Sequence, residues 1–226
     1  NTTVRRSAVT TIVHNWSMIA SGLLTTLVIS VTAYAGALVL GSLLAVCRVS
    51  PLPPLRLLAA TWVTVATNVP VLCSMILLGL GIPRLGVHIT LLWAAVVAVV
   101  FSGSGYVCEA VRSGINTVSK GQVEAARALG MPFGLIVRAV VLPQALAQAI
   151  QPLVNILIAC LIGSSLAAAI GVPELTNVTR ALNNQSGEAV LMFLLSGLVY
   201  LAIAYLATRV GSLLERRLTR SQGAAR

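Results

Sequence analysis

Residues able to carry covalent or metal chemistry are few in this chain, and their spacing does not form a catalytic set. Ser102 and Ser104 alternate with Gly103 and Gly105, a pattern that could expose a nucleophilic serine. A nucleophilic serine needs a base beside it, and no histidine lies in a segment that could supply one. The chain also lacks a phosphate-binding loop of the form GxxxxGKS or GxxxxGKT. Its four cysteines form no C-x-x-C pair and have no spacing suited to a metal; they are Cys47, Cys73, Cys108 and Cys160. We therefore predict that the chain is not an enzyme and holds no metal and no cofactor.

The composition indicates a chain built for a lipid bilayer. Hydrophobic residues make up 58% of the 226 residues and charged residues only 9%, whereas soluble domains carry about 25% charged residues. The net charge of +10 is spread over short connectors between apolar runs. These connectors form no basic stripe with interleaved aromatic residues, so we predict no nucleic-acid partner.

Five apolar runs are long enough to cross the hydrocarbon core, which takes about 20 residues of helix. They cover about residues 16–46, 55–80, 89–107, 142–170 and 189–214. The segment from about 110 to 142 lies outside them and is rich in small and polar residues. We therefore predict an all-α membrane protein with five transmembrane helices, forming a single transmembrane domain over residues 1–226.

The lysines and arginines divide unequally between the two sides of these predicted spans. Eleven lie on the side that holds the 110–142 segment and the C-terminus, whereas four lie on the other side, namely Arg5, Arg6, Arg84 and Arg180. Because basic loops stay in the cytoplasm, we predict that the N-terminus lies outside and the C-terminus in the cytoplasm. Arg5 and Arg6 run against this bias.

The stretch GQVEAARALGMPFGLIVRAVVLP, residues 121–143, has the pattern of two short helices that meet at a sharp corner. Ser119 followed three residues later by Gln122 fits a capping box. Gly130 fits the left-handed position that ends many helices, and Pro132 suits the first position of a second helix. The segment therefore predicts a compact two-helix loop on the cytoplasmic side.

The residues of this loop say less about where it ends and what it contacts. Pro143 opposes helix continuation, so we expect it to separate the second loop helix from the fourth span. The residues leave two interpretations open. The loop docks into a groove on a partner protein, or it lies on anionic lipid through Arg127 and Arg138.

Three segments carry a resemblance to a known family. Glu124-Ala125-Ala126, Gly130, Val140 and Leu142-Pro143 match the EAA motif of ABC-importer permeases, with Val140 in place of the usual isoleucine. Residues 106–115 resemble the "Y-x-x-E-x-x-R-x-G-I" run of the polar-amino-acid branch, and residues 170–175 resemble its "IGVPEL" segment. The resemblance covers about residues 16–218. Residues 112–127 look most like glutamate/glutamine-type permeases of actinobacteria.

This resemblance implies the fold of a type I ABC importer permease, with five transmembrane helices and a cytosolic two-helix coupling loop. The function it implies is the transmembrane subunit of an ATP-driven importer for a polar amino acid, with a glutamate- or glutamine-like substrate favoured. The coupling residues would be those of the EAA loop, namely Glu124, Ala125, Ala126, Arg127 and Gly130. They would dock on cytosolic ATP-binding subunits, present in two copies, whose closure drives alternating access.

The resemblance also implies the setting of the chain, a bacterial cell (inner) membrane, and an extracellular or periplasmic solute-binding protein as a partner. Residues 171–187 resemble the segment that lies near the docking site of that protein. The alternative function is a secondary transporter or channel for a small polar solute. Against it, no acid or base lies in the middle of any predicted span, where ion-coupled transport needs one.

Two departures from the family pattern concern the solute pathway. Where related permeases often carry "R-G-T-P" and "K-D-T/S-S-L", this chain has TNVP at 67–70 and IGSSL at 162–166. Asn68, Ser164 and Ser165 are the candidate pathway residues that this leaves. Each could instead satisfy backbone carbonyls of its own helix. Because both departures remove charge, we favour a second permease chain, in a heterodimer rather than a homodimer, that supplies the charged contacts.

Overall fold

The computed structural model describes residues 8–223, and within that part of the chain every regular element is a helix. The α-helices are α1 Ala8–His14, α2 Trp16–Val49, α3 Pro53–Asn68, α4 Val71–Ile76, α5 Leu91–Asn116, α6 Lys120–Ala128, α7 Phe133–Ile136, α8 Leu142–Ser164, α9 Leu175–Ser186 and α10 Ala189–Gly223. Short π segments cover Leu77–Gly81 and Val137–Val141, and short 3-10 segments cover Ile82–Leu85 and Ser165–Ile170. Arg5, Arg6 and Arg226, which enter the predicted charge asymmetry, lie outside the described residues.

Four stretches in the described part are long and apolar enough to cross a membrane as continuous helices. They are α2, α5, Phe133–Ile170 and the Ala189–Arg216 part of α10. A fifth crossing is formed if α3 and the stretch Val71–Leu85 are taken together. The all-α membrane fold with five spans predicted from the sequence is confirmed in this form.

The second span differs from the continuous run predicted over 55–80. It consists of two helices bent by 97°, with the break at Val69 and Pro70. Proline disfavours the helical conformation of the residue before it, and Val69 is accordingly extended, with φ −84° and ψ 124°. A hydropathy profile does not register this bend, because both arms are apolar.

The central helix of the molecule is α5, against which α2, α3 and α8 all pack. Small residues allow this close packing, as expected where lipid gives helices no hydrophobic reason to associate. A Cβ atom added at Gly41 of α2 would lie 2.6 Å from the Ser104 carbonyl oxygen of α5. One added at Gly114 of α5 would lie 2.6 Å from the Ala145 carbonyl oxygen of α8. The backbones of α2, α5 and α8 therefore approach each other closely at these two glycines.

The connection between α5 and α8 is shorter than the predicted loop of about 110–142. At its start, α5 continues to Asn116. At its end, α7 passes through the π segment directly into α8, so the expected break at Pro143 is wrong. The N–H of Leu142 bonds the Val137 carbonyl, five residues back, and this wider turn carries the helix past a proline that has no N–H to donate.

The far end of α8 leads through a 3-10 turn to α9, which lies across α2 and α10. Leu175, Val178 and Leu182 of α9 pack with Ile19 of α2 and Met192 of α10 in a separate apolar cluster. Since α6 and α7 adjoin the start of α8, the α6–α7 loop and α9 lie at opposite ends of the bundle.

Candidate coupling surface and solute pathway

Helix α6 has defined caps at both ends, as its sequence predicts. The Ser119 hydroxyl accepts a hydrogen bond from the Gln122 N–H at 3.4 Å. At the other end Gly130 has φ +74°, and its N–H bonds the Arg127 carbonyl at 2.9 Å. The Met131 N–H bonds the Ala126 carbonyl at 3.1 Å, which completes a Schellman motif. The cap at Ser119 and the left-handed glycine at 130 are therefore confirmed, whereas Pro132 is the N-cap of α7 rather than its first residue.

The predicted coupling residues divide between an open surface and a buried contact. Glu124, Ala125, Arg127 and Gly130 are exposed, and a Cβ atom at Gly130 would meet nothing within 4 Å. Ala126 is instead buried. The loop packs α6 against α7 and the π segment that follows it, so Ala126 serves the loop's own packing rather than its open surface. A coupling role for the five residues stays a prediction.

Two exposed apolar side chains lie beside this corner and are not among the predicted coupling residues. Leu129, the C-cap residue of α6, is 82% exposed, and Phe133, the first residue of α7, is 73% exposed. The Gln144 side chain of α8 donates to the Gln122 side-chain oxygen of α6 at 3.0 Å. The corner is thus held against the start of α8 while it presents apolar surface outward.

A cluster of three charged side chains joins α2 to α5. Glu109 accepts from Arg48 at 3.0 Å and from Arg112 at 2.7 Å. The spacing of Glu109 and Arg112 on one helix suits such a pair. Arg48 is 61 residues away from Glu109 in sequence, so nothing in the sequence indicates its part in the cluster.

The three predicted pathway residues are not brought together by the structure. Asn68 is exposed, and its amide donates to the Thr64 carbonyl of its own helix at 2.7 Å. Ser164 is fully buried, and its hydroxyl bonds the Leu161 carbonyl at 2.7 Å. Ser165 is half-buried and bonds the Ile162 carbonyl. Ser164 therefore lines no open path in this structure, because it has no exposed surface.

An open cleft of about 140 Å³ lies instead between the start of α4, the middle of α5 and α8. Ser102 and Tyr106 contribute its hydroxyl groups, and Ile156, Cys160 and Gly163 are among its other lining residues. The Tyr106 hydroxyl also donates to the Thr67 carbonyl at 3.4 Å. Among the described residues, none of those that line this cleft is charged. Tyr106 is the first residue of the family-like motif at 106–115, and this was the one feature of the sequence that could have indicated its place in the cleft.

The comparisons with known proteins agree with this architecture. Residues 37–220 match the family model of the binding-protein-dependent transport system inner membrane component. This chain belongs to that family, and it is therefore the membrane component of an ABC importer. An ATP-binding subunit and a solute-binding protein are the partners that the family implies, and the chain is a multi-pass membrane protein.

Curated relatives come from the amino-acid branch of the family. The arginine transport system permease protein ArtQ of Bacillus subtilis is 35% identical and aligns over 88% of this chain and 92% of its own length. The probable glutamine ABC transporter permease protein GlnM of the same organism is 31% identical, with 92% of this chain and 96% of its own length covered. The resemblance to amino-acid ABC permeases seen in the sequence is thereby confirmed.

Solved structures show the same fold. A crystal structure of an amino acid ABC transporter with histidines is 29% identical, with a TM-score of 0.85 over 91% of this chain and 96% of that one. An inward-facing structure of the MetNI methionine ABC transporter is 21% identical and has a TM-score of 0.74 over 90% of this chain. At that lower identity, the second structure supports the fold alone.

Proposed function

We propose that this chain couples ATP hydrolysis to the import of a polar amino acid through its α6–α7 loop, which faces the cytoplasm. The observation that carries the proposal is the exposed apolar pair Leu129 and Phe133. Exposed apolar surface at the corner of a loop that also carries exposed charges is typical of a docking site. Membership of an ABC family favours an ATP-binding subunit over a lipid surface as the partner. The exposed members of the predicted set, Glu124, Ala125, Arg127 and Gly130, lie in the same loop.

The path from the loop to the cleft consists of directly joined elements. Helix α6 is bonded to α8 through Gln122 and Gln144, and α7 runs without interruption into α8. Helix α8 in turn carries Ile156 and Cys160 of the cleft. Movement of the loop on a closing ATPase would therefore tilt α8 as a rigid body, and the cleft would open alternately to the two sides.

The lining of the cleft supports a neutral polar solute. Hydroxyl groups of Ser102 and Tyr106 can bond an amide or a zwitterion, but this chain supplies no charge to balance an ionised side chain. Within the glutamate- or glutamine-like class we therefore favour glutamine. Asn68 and Ser165 stay candidates for contact with the solute along the path, and Ser164 does not.

The proposed assembly contains two ATP-binding subunits and a second permease chain. A single chain leaves apolar surface uncovered, above all on α10, where only 11% of the spanning window is buried. Lipid and a second permease chain would cover this surface. The uncharged cleft supports a heterodimer whose other chain contributes charged contacts to the α-amino and α-carboxylate groups of the solute, which glutamine also carries.

The test is ATP-driven uptake of radiolabelled glutamine by the complex purified from native membranes and reconstituted in lipid vesicles. Replacing both Leu129 and Phe133 by serine should reduce uptake at least about tenfold and release the ATP-binding subunit during purification. Leu85→Ser is the matched control, because Leu85 is also 82% exposed but lies in the 3-10 turn after α4. Full uptake by the double variant would contradict the proposal. Uptake by the wild type that needs a proton gradient rather than ATP would contradict it as well.

A further inference from the structure

An acid outside the loop and the cleft is completely buried at the opposite end of the bundle. Glu174 has no exposed surface and is the N-cap residue of α9. One carboxylate oxygen accepts from the Asn177 N–H at 2.7 Å. The other accepts from the Thr176 N–H at 2.9 Å and from the Tyr200 hydroxyl of α10 at 2.9 Å.

The carboxylate is held by helix-end donors and hydroxyl groups rather than by a cation. Among the described residues no arginine, lysine or histidine forms an ion pair with Glu174. Burying a carboxylate is costly unless hydrogen bonds replace its water. Two backbone N–H groups and the positive end of the α9 dipole meet this requirement. The bonds to other helices are therefore additional to an already capped helix end.

Those additional bonds connect α9 to both of its neighbours. The Thr26 hydroxyl of α2 lies 3.4 Å from the Glu174 carboxylate and accepts from the Leu175 N–H at 3.1 Å. The Tyr200 hydroxyl also lies 3.2 Å from the Thr176 hydroxyl. At Gly22 an added Cβ atom would lie 2.8 Å from Val178, so α9 rests directly on α2. One buried acid thus joins three helices at a single point.

We propose that Glu174 is a positioning residue that latches α9 to α2 and α10. The latch fixes the exposed polar residues of α9, which include Arg180, Asn184 and Gln185, relative to the transmembrane helices. A solute-binding protein that presses on α9 would then move α2 and α10 with it. This role in transport rests on the proposed function, whereas the latch itself does not.

The latch is tested by hydrogen exchange of the reconstituted complex, read separately for residues 175–187 and 120–128. Thr26→Val removes the bond to α2, and Tyr200→Phe removes the bond to α10. Each should speed exchange in 175–187 about tenfold, as expected for a lost hydrogen bond to a buried charge, and leave 120–128 unchanged. Thr26→Ser keeps the hydroxyl and should restore slow exchange.

Two neighbouring residues provide matched controls. The Thr25 hydroxyl bonds the Ser21 carbonyl of its own helix, and the Tyr205 hydroxyl accepts from Arg209, so Thr25→Val and Tyr205→Phe should exchange like wild type. If Thr26→Val and Tyr200→Phe leave the exchange rate of residues 175–187 unchanged, the latch is overturned. Equal acceleration in 120–128 would overturn it as well, because that result indicates general loosening.

The transport role has its own readout, the number of ATP molecules hydrolysed per glutamine imported. This ratio should rise at least about threefold in Thr26→Val and Tyr200→Phe while the rate of hydrolysis without solute-binding protein is unchanged. An unchanged ratio beside faster exchange would overturn the transport role of the latch. Absence of ATP-driven glutamine uptake in wild type would overturn the proposed function, and the exchange data would still decide whether the latch exists.

Discussion

Glu109 shows what a single residue contributes at the meeting of two long helices. Its carboxylate is shared by Arg112 on its own helix and Arg48 at the end of α2. All three side chains are partly exposed, so solvent screens the pairs and Glu109→Gln should cost only about 1 kcal/mol or less. The measurement is the melting temperature of the complex at low and at high salt. The wild type should lose part of its advantage over Glu109→Gln as salt rises.

Glu188→Gln is the control for this prediction, since Glu188 is an exposed acid outside the α6–α7 loop and forms no ion pair among the described residues. Its melting temperature should follow wild type at both salt concentrations. A deficit of Glu109→Gln that is independent of salt would contradict an electrostatic role for Glu109 and would indicate lost packing instead.

Within the loop element, Gly130 is required for its backbone conformation rather than for space. Its φ of +74° lies in the left-handed region, where an alanine costs about 1–2 kcal/mol. Gly130→Ala should therefore open the Schellman turn more often and make limited proteolysis of the loop about fivefold faster. Gly134→Ala is the matched control, because a Cβ atom there also meets nothing within 4 Å but the backbone is helical. Gly130→Asn should be cleaved more slowly than Gly130→Ala, and equal cleavage of the two alanine variants would refute the argument.

Features that depend on one or two neighbouring residues could be predicted from the sequence, whereas features that depend on packing against distant helices could not. The caps of α6 depend on Ser119 and Gly130 alone, and both are where the sequence places them. Pro70 and Pro143 look alike in sequence, yet α3 and α4 bend sharply at Pro70 whereas the helix passes through Pro143 by a π turn. Which outcome a proline produces depends on the helices packed around it, and these lie far away in the chain.

Across the whole molecule, the number and order of the spans follow from hydropathy, whereas the cleft does not. Asn68 and Ser164 are predicted pathway residues because they stand where the family pattern carries charge, but each bonds within its own helix, and Ser164 is also fully buried. Tyr106 and Ser102 line the cleft because α5 is the central helix. A polar side chain in a membrane span has a carbonyl one turn back within reach, so residue type alone does not show which groups face an open path.

The orientation of the whole molecule is the prediction that follows most directly from its charge. By the order of the predicted spans, eleven of its fifteen basic residues fall on the side of the α6–α7 loop, which the positive-inside rule assigns to the cytoplasm. Lys120 in α6 and Asn184 in α9 are both exposed and lie at opposite ends of the bundle. In intact cells a membrane-impermeant maleimide should label Asn184→Cys, and it should label Lys120→Cys only after the membrane is permeabilised. The wild-type chain, with its own four cysteines, gives the background. Labelling of Lys120→Cys from outside would reverse the orientation and place the loop beyond the reach of a cytosolic ATPase.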